Sequence, residues 1–136
     1  MLPYQYVALR CVPRPDREEF VNVGVVLYCE EAAFLALASR VDEALLRAFA
    51  PELDLAHLEA ALAGAAEVCA GTAHSGYAGE VRATAHGTRL LADTPSARFG
   101  LLKAPKSTVL QPGPVHGGMT ADPAAELERL LTRLVG

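Results

Sequence analysis

"FVNVGVVLYC", residues 20–29, decides how this chain folds. β-branched and aromatic side chains crowd the stretch, and acidic residues flank it, so it reads as a strand. Alternation places Val21, Val23, Val25, Leu27 and Cys29 on one face, and Phe20, Asn22, Gly24, Val26 and Tyr28 on the other. Both faces are largely apolar, which predicts a central strand covered on two sides. Asn22 interrupts that pattern, and a buried amide without partners costs roughly 1–3 kcal/mol. Gly24 follows on the same expected face and leaves a notch beside the amide. One reading packs a helix over Gly24 while Asn22 braces a loop. The other docks a ligand or a partner's backbone in the notch.

Outward from this strand the elements follow in order. "YQYVALRCV" (4–12) is β-rich and stops at Pro13. "PRPDREE" (13–19) joins the two strands as a solvated, mixed-charge turn with weak ion pairs. Residues 30–32 turn tightly into a third strand, "AFLALAS" (33–39), completing an antiparallel meander. "VDEALLRAF" (41–49) is a helix capped by Asp42 or Ser39 and stopped before Pro51. A longer helix starts at an Asp54 cap and ends at Gly71, with Leu55, Leu58, Leu62, Ala65, Ala66 and Cys69 on one stripe. The glycine-rich section 71–93 is read as a short strand pair, near 80–85 and 89–92.

Thr94 and Pro95 form a cap and a proline start for the helix "PSARFGLLKA" (95–104). "KSTVLQ" (106–111) reads as a strand and "PVHGG" (114–118) as a loop. Asp122 and Pro123 repeat the cap signal and open a last helix. Leu127, Leu130, Leu131, Leu134 and Val135 form its buried stripe, and Glu126 and Arg129 pair on the wet side. The sum is one α+β domain over residues 1–136. A mainly antiparallel sheet, the N-terminal three-stranded meander plus a later strand, packs against three to four helices.

Composition limits the function classes. The 136 residues carry a formal net charge of -4, with 51% hydrophobic and 21% charged residues, so the chain is globular. The acidic balance argues against nucleic acid as a partner. No apolar run approaches the ~20 residues of a membrane span, and residues 1–15 lack the pattern of a signal peptide. Cys11, Cys29 and Cys69 are odd in number and widely spaced, and they read as buried thiols in a reducing, cytoplasmic setting.

Three segments, "YQYVALRCVPRPDREEFVNVGVVLYC", "SARFGLLKAPKSTVLQPGPVHGG" and "DPAAELERLLTRLV", together resemble the bacterial family catalogued as domain of unknown function 3037. The resemblance implies no activity and no catalytic residues. It implies at most a shared pathway or complex with a kinase-like protein of the HipA type.

The chemistry must then come from the residues themselves. "GLLKAPKST" falls short of a phosphate loop, because Pro105 stands where the second glycine must be and has no N–H. Lys106 can still bind an anion, with Ser107 or Thr108 donating hydrogen bonds. Otherwise the segment is an ordinary half-wet strand. His116 suits a general base, or a hydrogen-bonded brace in its loop. No HxxxH or HxH spacing supports a metal, and no cofactor is expected. No Ser-His-Asp order, carboxylate pair or GxSxG elbow is present, so whether the chain is an enzyme stays open, with His116 and Lys106 the nearest to catalytic candidates. Two functions remain. One is a protein-interaction or regulatory module, with a HipA-type partner or a homodimer open to it. The other is a small enzyme or anion-binding protein that gathers Asn22, Arg98, Lys106, Ser107, Thr108 and His116 in one pocket, provided the last strand pairs near residues 20–29.

Overall fold

The apolar run does form a strand, β2 (Val21–Cys29), inside the sheet. It pairs antiparallel with β1 (Leu2–Cys11) on one side and β3 (Phe34–Ser39) on the other. The structure is a computed structural model that describes residues 1–71, 94–104, 106 and 108–136. The strand pair expected at 80–85 and 89–92 lies outside these residues, as does Ser107.

The meander is as expected, but the later strand is two strands laid end to end. β4 (Leu110–Pro112) pairs with Leu9, Arg10 and Cys11, and β5 (His116–Thr120) pairs with the first half of β1. Both run antiparallel to β1, giving a five-stranded sheet. Residues 106–111 therefore do not form a single strand. Ahead of Leu110 the chain turns, held by the Thr108 hydroxyl donating to the Leu110 carbonyl, while Pro112 and Pro114, without an N–H, separate β4 from β5. The ladder resumes at His116, so "PVHGG" is half strand and not a loop.

Strict alternation along β2 is also overturned. Leu9 pairs with Gly24, but the next residue, Arg10, pairs with Asn22, so Val23 is an extra residue in a β-bulge. The bulge reverses the phase of the side chains. Val21, Val23 and Val26 join one cluster, while Val25, Leu27 and Cys29 join the other. Asn22 and Gly24 thus end on opposite faces, and the expected notch beside the amide does not form. What crowds Gly24 is the β3 backbone, because a Cβ there would lie 3.0 Å from the Ala38 carbonyl oxygen.

Helices cover both faces, as two apolar sides require. α1 (Glu43–Phe49), α2 (Leu55–Ala70) and α3 (Pro95–Lys103) pack on one. Leu46, Leu58, Leu62, Phe99 and Leu102 meet Val7, Leu9, Val23 and Val26 there. In α2 the stripe is completed by Val68, and Ala66 is exposed. On the other face lies α4 (Pro123–Leu134), whose Leu127 and Leu130 meet Val25, Leu27 and Cys29.

Each helix begins at its expected cap. The carboxylates of Asp42, Asp54 and Asp122 and the Thr94 hydroxyl accept from the backbone N–H three residues on. Asp42, not Ser39, caps α1. Gly71 closes α2 at φ +76°, a conformation that suits a residue without a Cβ. All three cysteines are buried thiols.

Candidate functional site

α4 packs on β2 and β3, so on its face the side formed by β1, β4 and β5 has no described helix lying along it. Side chains of β1 that point this way are Tyr4, Tyr6, Ala8 and Arg10, by alternation from the buried Val7, Leu9 and Cys11. Tyr4 is still covered, because its hydroxyl reaches Glu126 of α4. From Tyr6 to Arg10 the face is partly open, a strip roughly 13 Å long at strand rise whose residues are half-buried, with Tyr6 packing against the core beneath α4.

At one end of the strip Arg10 stands between its cross-strand neighbours Asn22 and Gln111. Directly paired residues share a face, so the three polar groups form a row across β2, β1 and β4. The Arg10 guanidinium lies over the Phe20 ring, 3.9 Å from its centroid. Gly113 approaches from another side. A Cβ there would come within 3.1 Å of Arg10 Cζ and Nε, so a glycine leaves the room the guanidinium occupies. Arg10 forms no ion pair among the described residues, and its buried Nε has no hydrogen-bond partner. A cavity of about 360 Å³ opens here, lined by Arg10, Val12, Pro15, Glu18, Phe20 and Gln111. Phe20 is 43% exposed, a large ring held at the surface with a cation against it.

At the other end His116 stacks on its paired residue Tyr6, with ring centroids 5.3 Å apart. The imidazole is exposed.

The expected site residues distribute over two faces. Asn22 and His116 belong to this strip. The Asn22 amide donates to the Leu134 carbonyl at 3.2 Å and so braces the end of α4, while its buried Oδ1 has no partner among the described residues. Arg98 and Lys106 go with α3 on the opposite face. The Arg98 guanidinium lies beside Gly71 at the end of α2. Lys106 donates to the carbonyls of Leu101 and Ala104 at 2.5 and 3.1 Å, closing the last turn of α3, and burial lowers its pKa. Thr108 donates to the Leu110 carbonyl, and Gln111 to the Thr108 carbonyl, so this turn is held by its own side chains. The expected convergence of Asn22, Arg98, Lys106 and His116 does not occur, because β4 pairs with β1 and not with β2.

Arg10 and Phe20 are the residues that pattern reading passes over. Arginine in a strand reads as an outward polar residue, and Phe20 reads as the start of the apolar run. The one available signal is an arginine flanked by Ala8 and Val12 on its own face with no acid nearby in the strand.

Among the described residues no three His, Cys, Asp or Glu side chains assemble as a metal set, and no described helix is long and apolar enough to cross a membrane. A family model described as "Protein of unknown function (DUF3037)" matches residues 6–135. No curated protein and no solved structure matches the chain.

Proposed function

Because the chain belongs to the DUF3037 family, whose description names no activity, we propose from its geometry that it is a binding module that receives a protein partner on the open strip of its sheet. One observation carries this reading. The described helix on that face packs over β2 and β3, while β1 presents a cation on an exposed ring, a stacked histidine and a cavity. A face with aromatic and arginine groups outside the helix-covered core has the composition of an interface centre. Three unpaired thiols, all buried, suit work in a reducing compartment such as the cytoplasm. A HipA-type kinase-like protein is the first partner to test.

The test is site-specific photocrosslinking in the source cells. A photoreactive residue at His116 or Phe20 should give the same discrete adduct, identifiable by mass spectrometry. One at Glu128, on the exposed side of α4, should not. No adduct from the strip, or equal adducts from Glu128, would remove the proposal.

A further inference from the structure

The Arg10 guanidinium lies over an aromatic ring and has no ion-pair partner among the described residues, and that arrangement names a ligand chemistry. We infer that Arg10 binds the terminal carboxylate of a partner's polypeptide, an inference that rests on the binding-module reading above. The guanidinium carbon lies 3.9 Å from the Phe20 ring centroid, and Gly113 runs so close on another side that an added Cβ would come within 3.1 Å of it. Nη1 and Nη2, which are not buried as Nε is, then offer the paired N–H groups that meet a carboxylate bidentately. Nε itself is buried and has no acceptor among the described residues, so the guanidinium's charge is not met within the described fold.

Two further features select within the anions. Glu18 lines the same cavity and opposes a dianion more than a monoanion, so carboxylate is favoured over phosphate. Asn22 Oδ1, on the residue paired with Arg10, is a buried acceptor without a donor. Asn22 does not itself line the cavity, but a chain terminus carries an amide N–H close behind its carboxylate and so brings an acceptor for the guanidinium and a donor to this end of the strip. Val12, Pro15 and Phe20 make the cavity walls partly apolar, and about 360 Å³ accommodates the side chain of a last residue such as leucine.

The probe is N-acetyl-leucine, titrated into the ¹⁵N-labelled full chain and followed by NMR. Saturable shifts are expected at Arg10 Nε–H, the Gly113 amide and the Asn22 side-chain amide. N-acetyl-leucinamide should leave all three unmoved. N-acetylglutamate α-amide, which offers only a side-chain acid, and inorganic phosphate should each bind at least roughly tenfold more weakly. Arg10→Gln should abolish the shifts and Arg10→Lys weaken binding roughly tenfold, since lysine lacks the fork. Should Arg10→Gln fail to fold, the acid–amide comparison on the unaltered chain decides alone. Equal shifts from acid and amide, no shifts at all, or comparable binding of the side-chain acid or phosphate would each overturn the inference. If strip crosslinks persist while N-acetyl-leucine does not bind, the carboxylate falls and the binding module stands. If the crosslinks are absent, the module itself falls.

Discussion

The Tyr4 hydroxyl donates to Glu126 Oε2 at 2.5 Å, joining the first strand to the last helix. Glu126 also accepts from Arg129 Nε at 2.9 Å, so one half-buried carboxylate is held from both sides. It is therefore more than the wet partner of an i,i+3 pair. Hydrogen bonds to a charged group contribute roughly 1.5–3 kcal/mol, and Tyr4 is buried, so Tyr4→Phe should lower stability by an amount in that range. Urea unfolding at pH 7 measures it, and a loss under a few tenths of a kcal/mol would show the bond to be idle.

The same carboxylate predicts an acid limb. The Arg129 hydrogen bond, then the Tyr4 hydroxyl, hold the Glu126 pKa down to about 2. A pKa depressed on folding means that the stabilisation is complete above the unfolded value near 4.5 and disappears as pH falls toward the folded one. Stability should therefore decline between about pH 5 and pH 2. Glu126→Gln should start lower at pH 7 and show a flatter profile across that window. Parallel profiles for the two proteins would mean that other carboxylates set the acid limb.

Much of this architecture is legible in the sequence because its signals are local. Asp54 and Gly71 bracket α2, and Thr94 with Pro95 opens α3, through bonds made within one turn. The meander follows from apolar strands joined by short polar turns. What pattern reading misses depends on register between distant segments. The bulge at Val23 is fixed by pairing with Leu9 and Arg10, and nothing within residues 20–29 marks it. Because a bulge reverses every side chain before it, one unseen residue moved Asn22 away from Gly24 and into line with Arg10. The candidate site is of the same kind, since Arg10, Phe20, Asn22 and Gln111 come from three strands and a loop.

Two glycines should respond to alanine with opposite signs. At Gly24 an added Cβ would meet the Ala38 carbonyl at 3.0 Å and Ser39 Cβ at 3.4 Å, so β3 must move. Gly24→Ala should cost roughly 1–3 kcal/mol. At Gly64, inside α2, an added Cβ meets nothing within 4 Å. Gly64→Ala should stabilise by roughly 0.5–1 kcal/mol through helix propensity. Thermal melts of the two variants check both signs, and a stabilising Gly24→Ala would contradict the tight β2–β3 approach.

The thiols should be silent in the native state. Burial pushes Cys69 up to about 12, against a weaker lowering influence from Arg98, and burial also raises Cys11. The nucleophile is the thiolate, so lack of access opposes reaction at all three cysteines, and at Cys11 and Cys69 the raised pKa opposes it further. At pH 8 an aromatic disulfide reagent should titrate the three cysteines only after denaturant is added. Rapid reaction of one native thiol would place it outside the core.

The last prediction separates the posture of Arg10 from the stability of the fold. In Gly113→Ala the new Cβ would stand 3.1 Å from Arg10 Cζ and Nε and 3.2 Å from Nη2. Those atoms are the far end of a flexible side chain, so the guanidinium can swing away at little cost to the backbone. The Gly113 N–H can still donate to the Ala8 carbonyl, and β4 keeps its place. Unfolding free energy should change by less than about 1 kcal/mol, in the ordinary range for a tolerated substitution. The guanidinium, however, loses its seat on Phe20, and the upfield ring-current shift of the Arg10 side-chain protons should collapse toward random-coil values. A variant that keeps that shift would show that Gly113 does not hold the cation in place, whereas one that unfolds would show that the β4 backbone, and not the arginine, needs the glycine.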